Sequence, residues 1–292
     1  MKPALGSRIA LVGVGVNIAL IVVKGVAGIL GNSAALVADA IESASDVAGS
    51  VVTWGGLRMA ERPPDANHPY GHGKYEPMTA LVVAGLILGA AILIVVEATR
   101  QLITPHHTPA PFTLAVLVAV VVVKETMARI VERAAQRSGS VAVASDAIHH
   151  RADAITSAAA FVGILVAIVG GEGWERADDI AALVAAAVIA WNAVRLGRPA
   201  VAELLDTAPD PALDERVLAA ACAESGVVDA HKCRIRKIGV DLWIDLHIHV
   251  DAGMSVRESH ALAHRVKDRI RAIDQRIRDA LIHVEPAGSC RE

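Results

Sequence analysis

Several apolar stretches in the first 205 residues are long enough to cross a bilayer, and this constrains the fold more than any other feature. A hydrocarbon core of about 30 Å needs roughly 20 apolar residues in a helix. Residues 9–30, 33–56, 78–98, 112–123 with their continuation, 155–170 and 180–194 meet or approach that requirement. The stretch at 33–56 is apolar apart from Asp39, Glu42 and Asp46, and the stretch ending at 170 has a more polar start near Ser140. Counting both gives six spans. The composition agrees: 54% of the chain is hydrophobic but only 3% is aromatic, so Ala, Val, Leu, Ile and Gly supply the apolar mass, as in closely packed membrane helices. The first stretch lacks a small-residue cleavage motif followed by a polar start and reads as a span rather than a leader.

Basic residues set the expected orientation. Lys2 and Arg8 precede the first span, and Arg58, Arg62 and Lys74 lie between the second and third. Arg129, Arg133 and Arg137 lie between the fourth and fifth, and Arg195 and Arg198 follow the sixth. The opposite connections carry only Arg100 and Arg176 near their edges, which places both termini in the cytoplasm. From residue 206 the character changes. Pro209, Pro211 and several acidic residues mark a linker, and a soluble pattern follows. Helix 211–224, strands 227–237 and 241–250, helix 255–273 and a last strand 280–284 are expected, the second strand from its alternation of Leu242, Ile244, Leu246, Ile248 and Val250. The expected fold is therefore an α-helical membrane protein: a six-helix transmembrane bundle over 1–205 and a C-terminal α+β, ferredoxin-like cytoplasmic domain over 206–292. So short a domain is expected to dimerise.

Ionisable groups inside a span cost roughly 2.5–3.5 kcal/mol each and generally mark function. The second span carries Asp39, Glu42 and Asp46, and the fifth carries Asp146, His149 and Asp153; each set falls at i, i+3 and i+7, one helical face. Asp-Ala-Ile begins both segments, and Ser50 and Ser157 sit at matching offsets. With both termini on one side these two helices run oppositely, so the echo points to an inverted repeat with a site at its interface. Glu42 and Asp46 offer two oxygens, and His149 and Asp153 a nitrogen and an oxygen, a set that closes a tetrahedral shell around Zn²⁺ or a looser one around Fe²⁺ or Mn²⁺. Asp39 and Asp146 read better as helix-packing or gate-edge residues, and Lys124, late in the fourth span, as snorkelling to the surface or lining the cavity. The same ligands bind protons, so metal and proton can exchange at one site, with protons as counter-ion.

The segments Ala34–Asp46 and Ser145–Ser157, together with Pro69-Tyr-Gly-His-Gly-Lys74, resemble the cation diffusion facilitator family over essentially the whole chain. The resemblance implies a homodimer, six spans per subunit and proton-driven export of a divalent metal, with Glu42, Asp46, His149 and Asp153 as the transport ligands. The commonest zinc pattern has His where Glu42 stands here. Oxygen in place of nitrogen hardens the site, so zinc and iron together are the expected substrates, with manganese, cobalt or cadmium as further ones. Asp65, His68 and His72 match a second metal site on a loop. His231, His247, His260, His283 and Glu285 fall where some members bind metal between subunits. By strand alternation His247 and His249 share a polar face with Asp245. Lys74 matches a basic residue that pairs with an acidic residue after the sixth span, here Asp206.

No prosthetic group is expected; divalent metal is the substrate and a candidate regulator. The net charge of -3 gives no case for nucleic acid, and Cys222, Cys233 and Cys290 form neither a disulfide framework nor a CxxC knuckle. An enzyme is the weakest reading, because no phosphate-binding glycine loop, nucleophile elbow or zinc hydrolase motif is present. A proton-coupled carrier of an organic substrate would call for a more aromatic cavity. A non-transporting, metal-sensing scaffold would tolerate replacement of Glu42 and Asp46. The expected location is the bilayer of the inner (plasma) membrane.

Overall fold

The structure is a computed structural model. It describes the backbone of residues 3–103, 108–138, 141–171, 174 and 176–288, and within these all side chains except those of 3–14, 134–138 and 141–152. Six long helices come first: α1 (Pro3–Leu30), α2 (Ala34–Ala60), α3 (Tyr75–Ile103), α4 (Phe112–Ser138), α5 (Val141–Gly170) and α6 (Arg176–Leu204). Each has 27–30 residues, roughly 40–45 Å at about 1.5 Å per residue, so each outruns the hydrocarbon core. That excess explains why every helix extends beyond the apolar run that announces it. A short helix α7 (Pro211–Cys222), strands β1 (Asp229–Ile238) and β2 (Asp241–Val250), helix α8 (Val256–Arg271) and strand β3 (Ile277–Pro286) follow. By internal packing the chain divides into one unit of Met1–Val52 with Val82–Leu196, and a second of Thr53–Leu81 with Gly197–Glu292.

In the first unit alanines make up much of the buried packing, with Leu36, Leu117 and Ile164 buried in a second cluster, while many large apolar side chains face outward. Ala34, Ala38, Ala91, Ala98, Ala182 and Ala186 form one buried cluster with Ile94 and Ile189, whereas Ile29, Leu30, Ile92, Leu93, Val96, Val184 and Trp191 are exposed. A water-soluble protein keeps most such large apolar side chains inside. Among lipid tails, burial of Leu or Val gives no advantage, and close helix contact favours Ala and Gly. Asp178, at the start of α6, fixes the start of α2. Its carboxylate accepts from Ser33 Oγ at 2.9 Å and from the backbone N–H of Ala34 at 2.5 Å and Ala35 at 3.3 Å. Ser33 in turn accepts from Leu36 N at 3.2 Å, as an N-cap does. First-turn donors that lack a helical partner are thus met by a carboxylate at the positive end of the helix dipole.

The second unit holds the C-terminal fold. Its sheet has the order β1-β2-β3, with β1 and β2 antiparallel and β2 and β3 parallel through the α8 crossover. Leu242, Ile244, Leu246, Ile248 and Val250 pack one face against Leu213, Val217 and Ala221 of α7 and Leu262, Val266 and Ile270 of α8. Both helices are capped as their sequences require: Asp210 precedes Pro211 of α7, and Ser255 and Glu258 make a capping box on α8. The β1–β2 turn needs Gly239, whose φ is 62°. Gly73 is needed for closeness, since a Cβ there would lie 2.7 Å from the Ile238 carbonyl oxygen. The expected strand at 280–284 is longer, because pairing to β2 runs from Ile277 to Pro286.

Candidate metal-transport site

The centre of the first unit is a buried polar network joining α1, α2, α4 and α5. Lys24 is fully buried and uses all three ammonium hydrogens: on Asp39 Oδ2 at 3.0 Å, the Asp39 carbonyl at 2.8 Å and Ser43 Oγ at 2.6 Å. Ser157 Oγ lies 2.9 and 3.0 Å from the two Asp39 carboxylate oxygens and donates to them. Lys124 Nζ lies 3.0 Å from Asp153 Oδ2 and 3.3 Å from Ser43 Oγ. Both lysines thus converge on Ser43, whose hydroxyl oxygen has two lone pairs to offer. Glu42 lies within electrostatic reach of Asp39, Asp46, Asp153 and Lys124. A cavity of about 400 Å³ between α2, α5 and α6 is lined by Asp39, Glu42 and Thr156 among mostly Ala and Val.

Of the four expected transport ligands, Glu42 and Asp46 are half-buried on α2 and Asp153 is buried on α5. The side chain of His149 lies outside the described residues, as do those of Asp146, His150 and Arg151; the backbone of His149 is helical, one turn before Asp153. Asp39 is committed to Lys24 and Ser157, which matches its reading as a packing residue. Lys124 neither snorkels nor sits at a surface: it is 2% exposed and points into the bundle. The sequence reading missed this pairing, and it missed Asp178. An ammonium placed late in a span fits either environment, and two acidic residues at the head of an apolar run resemble any membrane edge.

Two further clusters lie in the second unit. On the loop before α3, His68 Nδ1 is 3.2 Å from Asp65 Oδ1 and His72 Nε2 is 3.4 Å from Asp65 Oδ2. His72 Nδ1 lies 3.2 Å from the Pro63 carbonyl oxygen, which orients the ring so that Nε2 is turned toward Asp65. The backbone N–H of His68, followed by that of Asn67, holds the Asp65 carboxyl below the usual carboxylate range. Nearby, Lys74 Nζ contacts Asp206 Oδ1 and the Glu203 carbonyl, each at 2.8 Å, and Glu203 accepts from Lys237 at 2.7 Å and from Gly239 N at 3.0 Å.

The other cluster follows from strand register. His231, His247 and His283 stand opposite one another across the three strands, and His249 and Glu285 occupy the next row. The period of two puts these rows on the face away from α7 and α8. Glu285 is central: Oε1 faces His247 Nδ1 at 2.7 Å and His283 Nε2 at 3.5 Å, while Oε2 faces His249 Nε2 at 3.1 Å and His231 Nε2 at 3.5 Å. Two three-ligand sets share that carboxylate, His231–His249–Glu285 and His247–His283–Glu285. Burial, reinforced by His249, pushes the His231 imidazole below its usual value, and its buried Nδ1 has no partner among the described residues. The hydrogen bond from His247 pulls the Glu285 carboxyl down. His249 joins the expected set through the alternation that already grouped it with His247. His260 is not brought into it: α8 covers the opposite, apolar face of the sheet, and the exposed His260 ring lies 4.6 Å from that of His264.

A helical membrane bundle with a charged polar centre, followed by an α+β domain rich in histidine and carboxylate clusters, defines a carrier of metal cations. A family model described as the cation efflux transmembrane domain matches residues 10–205, and one described as the cation efflux protein cytoplasmic domain matches 209–287. The manganese efflux system protein MneP of Bacillus subtilis is 29% identical over 98% of this chain and 97% of its own length. The magnetosome protein MamB of Magnetospira sp. is 30% identical over 93% of this chain and 92% of its own. The cation-efflux pump FieF of Shewanella oneidensis is 30% identical over 91% and 89%. The chain belongs to the cation efflux family, the cation diffusion facilitators. It is an integral membrane protein whose function class is efflux of divalent metal cations.

Proposed function

We propose that this protein exports a divalent transition-metal ion in exchange for protons, using Glu42, Asp46, His149 and Asp153 as ligands. The observation that carries the reading is the convergence of Glu42 from α2 and Asp153 from α5 within one buried charged network. Zn²⁺ and Fe²⁺ are the leading substrates, with Mn²⁺, Co²⁺ and Cd²⁺ as further ones, because three oxygens and one nitrogen make a harder site than the commoner zinc set. Proton exchange follows from ligand chemistry, since metal and proton occupy the same lone pairs. The protein works as a homodimer in the inner (plasma) membrane with both termini cytoplasmic, as the Arg and Lys distribution supports. Asp65, His68 and His72 hold a second metal ion. His231, His247, His249, His283 and Glu285 hold regulatory metal in the cytoplasmic domain, with His260 reaching the cluster only from the partner subunit.

The test is flux into proteoliposomes with competing Zn²⁺, Fe²⁺ and Mn²⁺ at two pH values, for wild type, Asp46→Ala and Asp153→Ala. The reading expects both variants to lose flux and wild-type flux to depend on the proton gradient. Full flux in either variant overturns it.

A further inference from the structure

The bundle buries two ammonium groups where a cation carrier binds its cargo, and only one of them is locked. Lys24 spends its three hydrogens on Asp39 and Ser43, and Asp39 is held in turn by Ser157. That pair cancels its own charge. Lys124 is held differently. It sits on Asp153 Oδ2 at 3.0 Å, and a second acceptor, Ser43 Oγ, stands 3.3 Å away. We propose that Lys124 is a displaceable counter-cation: its ammonium occupies the Asp153 carboxylate while the site is unloaded, gives way when a metal ion binds, and so sets the affinity and release rate of the transported ion. This rests on Asp153 being a transport ligand.

Geometry supplies the exchange route. Lys124 and Asp153 are both nearly dry, with side-chain exposures of 3% and 11%, so an ammonium without a partner there would be costly. Ser43 lets Lys124 leave Asp153 without leaving the polar network. Charge supplies the reason. Lys124 brings a positive charge up to the carboxylates of Asp153 and Glu42. Removing that charge leaves the site more negative, which binds cations more tightly and releases them more slowly. Lys124 is thus a positioning and affinity-setting residue rather than a ligand.

The test uses the full chain, prepared with Zn²⁺ present and reconstituted in proteoliposomes at fixed pH. Lys124→Met removes the charge and the hydrogen bond, Lys124→Gln removes the charge and keeps a donor, and Lys124→Arg keeps both. The expected result for the two neutral variants is a KM for Zn²⁺ lowered about tenfold, with a fall in maximal rate, the size of a moderate coupling between two sites. Zn²⁺ should also raise their melting temperature more than it raises that of wild type, and Lys124→Arg should restore both parameters. A purely structural lysine predicts the opposite split, with KM unchanged or raised. That result overturns the proposal, as does failure of both neutral variants to fold when metal is supplied. Asp153→Asn is run alongside. If it abolishes flux while Lys124→Gln leaves KM unchanged, only the counter-cation falls; if it keeps full flux, the transport-site reading falls with it.

Discussion

Replacing Lys24 by Met should destabilise the bundle far more than replacing Lys24 and Asp39 together by Met and Asn. Lys24 is fully buried, and the Asp39 side chain opposite it is 3% exposed. All three ammonium hydrogens have acceptors between 2.6 and 3.0 Å. Removing the lysine leaves a buried carboxylate with Ser157 as its remaining side-chain donor among the described residues, and breaking such a pair costs about 3–5 kcal/mol. The double variant removes the stranded charge, and Asn still accepts from Ser157, so at least half of the loss should return, a coupling of about 2 kcal/mol. At about 2–4 °C per kcal/mol for a domain of this size, the single variant should melt roughly 10 °C lower and the double variant roughly 5 °C lower. Melting of detergent-solubilised protein, followed by loss of monodispersity on heating, reads both. Equal melting of wild type and Lys24→Met, or a double variant no better than the single, would refute the reasoning that this pair is a dry internal ion pair.

Other expectations follow from the second unit. Because Glu285 serves both three-ligand sets while His283 serves one, Glu285→Ala should reduce bound metal per chain by two ions and His283→Ala by one, read by elemental analysis after dialysis. Burial, with the charge of Asp214 behind it, pushes the Cys233 thiol up to about 12. Its thiolate is therefore only about one part in ten thousand at pH 8, and its alkylation should still rise about tenfold per pH unit at pH 10, where an ordinary thiol has levelled off. Mass-spectrometric labelling should find the exposed Cys222 modified before Cys233. Gly73→Ala should melt lower by several degrees, since its Cβ would fall 2.7 Å from the Ile238 carbonyl oxygen; an unchanged melting temperature would show that the loop relaxes freely.

Much of this was legible in the chain because hydropathy and spacing are local signals. Acidic residues at i, i+3 and i+7 in an apolar run reveal one charged helix face, and strict alternation from Leu242 to Val250 fixes which face of β2 is polar. Lys74 and Asp206 could be paired from the sequence by resemblance, and their contact is formed at 2.8 Å. What stayed hidden depends on which neighbour a side chain meets. Lys124 gives the same sequence signal whether it reaches a headgroup or Asp153. Asp178 caps α2 from a helix that begins more than 140 residues later, and no local pattern records that. His249 and His283 join separate sets on Glu285 only once the parallel register of β2 and β3 is known. Helix ends ran past the apolar stretches because water and the interface tolerate polar residues in a helix, so hydropathy marks the hydrocarbon core and not the helix.

Everything about function turns on whether α2 and α5 jointly hold one divalent ion. Equilibrium dialysis with Zn²⁺ addresses this in a background carrying His72→Ala and Glu285→Ala, which removes the loop and C-terminal clusters. A single remaining ion per chain, lost on adding Asp153→Asn and lost equally on adding Asp46→Ala, is the predicted result. An ion that persists in both additional variants, or no ion in the background chain, would contradict the account.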